Sequence, residues 1–315
     1  NENCVECHDN STLILSRQLQ YLNSTHANGG NFDRGGALGA PYYAACARCH
    51  TNEGFVNHIN GDPAVLISNA TPINCRGCHL VHVTGTESDL ALRTDDPVTL
   101  DLTDNTFDMG SSNLCANCHQ ARASYVIPEV GGADYEVTSN HWGPHHSPQS
   151  TMMSTVGGYE VAGSMSYPTA SRHAAVADGP LEDGCVSCHM QEALAAEAGG
   201  HTFDLWIDVD EPLIGTCADA NCHGADAEDW VDFDYDGLQT EIEVLLDDLA
   251  ALLVTAGALD VTDPDDPEPI EATFSADVAG AMWNYFFVKE DQSHGVHNPQ
   301  YAKALLTNSV EALTP

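Results

Sequence analysis

Cysteine and histidine are the residues whose spacing carries chemistry in this chain. Five segments read C-x-x-C-H: Cys4 to His8, Cys46 to His50, Cys75 to His79, Cys115 to His119, and Cys185 to His189. Two thiols three positions apart can add to the two vinyl groups of one haem, and the histidine that follows is then set beneath the iron as its proximal ligand. Chance at this composition yields about 0.02 such motifs, so five need an explanation. A sixth segment, Cys217-Ala-Asp-Ala-Asn-Cys222-His223, is C-x4-C-H, and its two extra residues would have to bulge out between the thioethers. Its cysteines are the last two of the twelve once the regular motifs are set aside; a disulfide between them is the alternative. Zinc also uses paired cysteines, but it needs no histidine directly after each pair.

The expectation is six haem c groups. They would be attached through Cys4, Cys7, Cys46, Cys49, Cys75, Cys78, Cys115, Cys118, Cys185, Cys188, Cys217 and Cys222. His8, His50, His79, His119, His189 and His223 would be the proximal iron ligands.

Ten histidines remain for six distal positions. The expected distal ligands are His26, His82, His145, His173, His201 and His297. His82 lies three residues past His79, which on a helical turn puts both on one side; it would serve a neighbouring haem, not its own. His201 follows two glycines in a loop, His173 precedes the fifth motif by twelve residues, and His297 sits in a turn before the last helix. His145 is favoured within His141-Trp-Gly-Pro-His145-His146, and His26 stands alone between the first two motifs. His58 reads as a helix-face residue and His294 as solvated. Six bis-histidine haems would leave no iron position open to a substrate, so such centres carry electrons, and no catalytic residue is expected. None of the six methionines has a context that suggests a distal ligand.

These groups must be positioned by a chain of 315 residues with a net charge of -38. That charge makes nucleic acid a poor partner and opposes self-association unless it is screened. No apolar run is long enough to span a bilayer, and covalent haem points to a secreted chain, extracellular or at the cell surface, with the periplasm as the alternative. Residues 1–224 are haem motifs joined by loops rich in Gly, Asn, Ser and Thr, and about 52 residues per haem are too few for a conventional core around each. The fold class expected is mostly loops with short α-helices around a chain of six haems, and little β-structure. Residues 225–315 form a helical C-terminal region packed on it as one continuous unit. Within that region Leu238, Ile242, Leu245, Leu246, Leu249, Leu252 and Leu253 recur at helical spacing. An acidic loop at 263–269 precedes helices near Ser275 to Val288 and Pro299 to Leu313.

Asp232, Asp234, Asp236, Gly237 and Glu243 match the spacing of an EF-hand calcium loop, so calcium is a possible further cofactor. The alternative is that Asp236 caps the following helix within a very acidic surface.

The segments 143–149 (GPHHSPQ), 184–190 (GCVSCHM), 199–203 (GGHTF) and 295–302 (GVHNPQYA) resemble recurring pieces of the multihaem cytochromes c of metal-reducing and related anaerobic microbes. That broad family includes the extracellular cytochrome filaments called nanowires, and the six-haem count resembles their outer-membrane cytochrome S type. The resemblance implies a homopolymer joined by end-to-end haem contacts, in which His26 would reach a neighbour's haem, with redox proteins or extracellular acceptors as partners. The last segment also resembles the C-terminal part of pentahaem nitrite reductases, where the histidine ligates a haem; this supports His297. The C-x-x-C-K attachment that often marks a catalytic haem there is absent, which weakens the reading as a nitrite, hydroxylamine or tetrathionate reductase. A freely diffusing periplasmic electron carrier is the nearer alternative to a filament.

Overall fold

Loops rich in Gly, Asn and Ser favour turns over long regular elements, and a computed structural model bears this out across residues 12–36, 41–174, 183–192, 198–208, 211–215, 217–218 and 222–314. The first motif, Cys4, Cys7 and His8, lies outside the described residues, as do residues 219–221 of the sixth. The chain divides into two compact units, the first made of residues 1–97, 108–118 and 178–232 and the second of 98–107, 119–177 and 233–315. One change of unit falls inside the fourth motif, between Cys118 and His119.

Unit 1 carries the attachment cysteines on short helices. Its helices in order are α1 (Thr12–Asn23), α2 (Thr25–Asn28), α3 (Ala47–His50), α4 (Asn52–Ile59), α5 (Cys75–Cys78) and α6 (Asn113–Ala116), of which α3, α5 and α6 hold motif cysteines. Unit 1 also holds α8 (Cys185–His189) and one two-stranded hairpin, Trp206–Asp208 with Glu211–Pro212. Its described residues bury few apolar side chains beyond alanine: Phe55, Ile67, Met109, Leu114 and Leu213. On α1, Leu15, Leu19 and Leu22 lie one helical turn apart and are exposed.

Unit 2 is built conventionally. Its helices are α7 (Gln149–Met153), α9 (Leu238–Thr255), α10 (Ala276–Asp291) and α11 (Pro299–Leu313). Three two-stranded antiparallel pairs accompany them. Helix α10 is buried on nearly every face, the signature of a central helix, and it packs Met282, Trp283, Phe286 and Phe287 against Ile242, Leu249 and Leu253 of α9 and Leu305 and Leu306 of α11. The buried amide of Asn284 is satisfied within this core. Asn284 accepts from the Tyr159 N–H at 2.7 Å and donates to the Tyr159 carbonyl at 2.8 Å and to Ser309 at 2.9 Å.

The three C-terminal helices fall where their periodicity predicts. Ser275 caps α10 and Asn298 caps α11 through side-chain oxygens. The 12-residue helix α1 forms in a stretch expected to be loop.

Candidate haem-binding centre

Each described regular motif folds as a helical turn, which brings its two thiols to one side. The turns are fixed by polar side chains. In the second motif, Thr51 ends α3 and starts α4, accepting the Gly54 N–H at 2.9 Å. Helix α4 approaches α3 so closely that a Cβ at Gly54 would lie 2.2 Å from the Ala47 carbonyl oxygen; only glycine fits. In the third, Asn74 caps α5 through the Arg76 N–H, while the Arg93 guanidinium donates to the Arg76 carbonyl at 2.7 Å and to the His79 carbonyl at 3.0 Å. In the fourth, buried Asn113 accepts from the Met109 N–H and donates to Asp95 and Asp108.

The sixth, longer motif closes in the same way as a regular one. The His79 N–H donates to the Cys75 carbonyl at 2.8 Å, and the His223 N–H donates to the Cys217 carbonyl at 3.1 Å across two additional residues. None of the ten described cysteines is in a disulfide. Burial pushes the Cys78 thiol up to about 11 and the Cys188 thiol up to about 12.

The motif histidines are oriented through Nδ1. His79 Nδ1 meets the Leu90 carbonyl at 2.7 Å, and His189 Nδ1 meets the Phe203 carbonyl at 3.1 Å. In unit 2, His119 Nδ1 lies 3.3 Å from Gln149 Oε1. A proton held on Nδ1 fixes the tautomer whose Nε2 lone pair can bind a metal. His50 ends α3, and the His223 ring lies 4.9 Å from that of Trp230.

Among the expected distal residues of unit 1, His201 stands opposite a motif histidine. Its ring centroid is 6.2 Å from that of His79, with the planes 28° apart. Two metal–imidazole bonds of ~2 Å each plus the two ring radii come to about 6 Å, so the gap has room for one metal ion between the rings. Burial, followed by the nearby His79 and Arg17, pushes His201 down to about 4, so its imidazole is neutral at ordinary pH. Gln20 of α1 holds the His201 N–H at 3.2 Å. Phe203 packs against both His201 and His26, with centroids at 6.1 and 4.9 Å.

His82 departs from expectation. Helix α5 ends at Cys78, His79 is extended and bridged to Leu92, and His82 is exposed in a turn at φ +65°. It does not share a helical face with His79, because the chain turns away to let Arg93 bind the α5 carbonyls.

Unit 2 holds the other three. His297 Nδ1 meets Oδ1 of the buried carboxylate of Asp291 at 2.8 Å. His173 Nδ1 bonds the Val296 carbonyl, while Ser171 Oγ donates to the His297 carbonyl at 2.9 Å. The two expected ligands thus sit on one paired turn. Gln149, the partner of His119, donates to the Asp291 carbonyl at 3.1 Å, so one relay of side chains orients His119 and His297. His145 adopts φ +70° beside His146, whose Nδ1 pairs with Glu290. Half of these Nδ1 partners are backbone carbonyls, of Leu90, Phe203 and Val296, and carry no sequence signal.

The acidic loop is engaged otherwise than expected. Asp234, not Asp236, starts α9, accepting from the backbone of Gln239 and Thr240 and from the Thr240 hydroxyl. Glu243 lies 3.0 Å from His294 Nδ1. No group of three or more His, Cys, Asp or Glu that could hold a metal ion occurs among the described residues.

No protein-family model matches the chain, and no curated protein matches it. Its fold is similar to that of a solved structure, the outer cell wall cytochrome OcwA, with a TM-score of 0.59 at 19% identity. The match covers 95% of this chain and 50% of that one, so this chain spans half the length of the cytochrome it resembles. No helix among the described residues is long and apolar enough to cross a membrane.

Proposed function

We propose that this chain is a multihaem c-type cytochrome that transfers electrons and turns over no substrate. The observation that carries the reading is the pair His79 and His201, two imidazoles whose centroids lie 6.2 Å apart, a spacing that would admit one metal ion, in the motif that carries Cys75 and Cys78. Bound there, haem iron would supply one-electron chemistry, held by His79 and His201.

The chain's residues supply the rest. Cys46, Cys49, Cys75, Cys78, Cys115, Cys118, Cys185, Cys188, Cys217 and Cys222 hold porphyrins covalently, as do Cys4 and Cys7. His8, His50, His79, His119, His189 and His223 bind from the motif side. His201 binds opposite His79, and His26, His82, His145, His173 and His297 serve the other distal positions. The Leu90, Phe203 and Val296 carbonyls, Gln149 and Asp291 orient the imidazoles. The shortage of apolar core in unit 1 agrees with porphyrin faces doing the packing there.

The finer reading is an extracellular conduit whose copies join into filaments. The description of OcwA as an outer cell wall cytochrome favours a surface site over the periplasm. Intact mass and peptide mapping of the purified protein test the core of the proposal: six haems, one on each motif, are expected, and bare cysteines overturn it. Electron cryo-microscopy in physiological salt tests the finer reading, with long filaments expected and discrete particles pointing to a diffusing carrier.

A further inference from the structure

The described cysteines of different motifs touch one another in a particular pattern within unit 1. Cys49 Sγ lies 3.8 Å from the Asn117 carbonyl, and Cys118 Sγ lies 3.8 Å from the Arg48 carbonyl. Each thiol thus meets the residue just before the other motif's second cysteine, a reciprocal contact of motifs two and four. A second joint links motifs four and five. The Ser112 hydroxyl accepts the Val186 N–H at 3.0 Å and donates to the Asp183 carbonyl. Ser111 binds the Asp183 carboxylate through its N–H and its hydroxyl, at 3.1 and 2.8 Å. Gly184, at φ +46°, lets Met109 approach to where a Cβ would be 2.9 Å from its methyl carbon.

A thioether joins its sulfur to the porphyrin edge through a single carbon, so sulfurs in mutual contact would bring the edges of two porphyrins together. We propose that the haems attached at Cys46/Cys49, Cys115/Cys118 and Cys185/Cys188 are consecutive neighbours in space, with the one at Cys115/Cys118 in the middle. The electron path therefore runs from motif two to motif four to motif five and skips motif three in sequence order.

The thiols themselves agree. Cys115 is hydrogen-bonded to Cys185, and Cys118 to Cys49. Motif three lies close by, with Cys78 near enough to act on both Cys115 and Cys118, and it packs on a different helix. Its helix α5 rests on α4, where Asn52 Oδ1 accepts the Asn74 N–H at 3.2 Å, and its histidine faces His201. It branches beside the path.

This order rests on the proposed haem attachment, and one sample tests both. Iron positions are located in the purified, loaded protein by anomalous diffraction or by cryo-microscopy, and haem attachment is mapped by mass spectrometry on the same material. The expected result is that the iron at Cys115/Cys118 has the irons at Cys46/Cys49 and Cys185/Cys188 as its two nearest neighbours. Haem on every motif with the motif-three iron as one of those two neighbours overturns the order and leaves the attachment reading standing. Cysteines without haem overturn both.

Discussion

The imidazole centroids of His79 and His201 lie 6.2 Å apart although 122 residues separate them in sequence; the His79 ring is held by the Leu90 carbonyl, and Gln20 accepts the backbone N–H of His201. Under the proposed reading His201 is the distal partner of the third motif. His201→Ala is expected to convert one low-spin haem to high spin, read by electron paramagnetic resonance, while the remaining haems keep their spectra. An unchanged spectrum would assign that distal position to another residue.

Asp291 should tune one centre. Its carboxylate is buried and faces Nδ1 of His297, whereas His79, His173 and His189 meet neutral carbonyls. A carboxylate there makes an imidazole a stronger donor and stabilises the oxidised metal. Asp291→Asn is therefore expected to raise the midpoint potential of one haem in a spectroelectrochemical titration. A titration curve that superimposes on the wild type would sever His297 from iron.

The motifs could be read from the sequence, because two thiols and a histidine within one turn leave a rigid local signature. The helices α9, α10 and α11 were legible for a related reason, since apolar spacing and the Ser275 and Asn298 caps agree. What sequence could not provide was pairing. Nothing local joins His201 to His79, and the orienting carbonyls of Leu90, Phe203 and Val296 belong to every peptide. His82 was misread as lying on a helical turn because Arg93, fourteen residues beyond His79, ends that turn by binding its carbonyls. Helix α1 was missed because its exposed leucines pattern without an evident core to face.

Gly54 is the point where motif two cannot tolerate a side chain. Gly54→Ala would force α4 away from α3, where the new Cβ meets the Ala47 carbonyl oxygen at 2.2 Å. Peptide mapping is expected to find haem lost selectively from Cys46 and Cys49. Full occupancy there would mean that α4 can move without disturbing the motif.

In unit 2, stability should follow ordinary core packing. Leu249 is fully buried in the α9 to α11 cluster, and Leu249→Ala is expected to cost about 2–5 kcal/mol in denaturant unfolding monitored by tryptophan fluorescence. A change below about 0.5 kcal/mol, the scale of a surface substitution, would show that the apolar cluster contributes little.

The central claim is that every haem has two protein ligands and none is open to substrate. The most direct measurement is the electron paramagnetic resonance spectrum of the oxidised, loaded protein, recorded with and without added nitrite and hydroxylamine. The account predicts only low-spin signals, unchanged by either addition. A high-spin signal that shifts when nitrite or hydroxylamine is added would contradict it and make the chain a reductase.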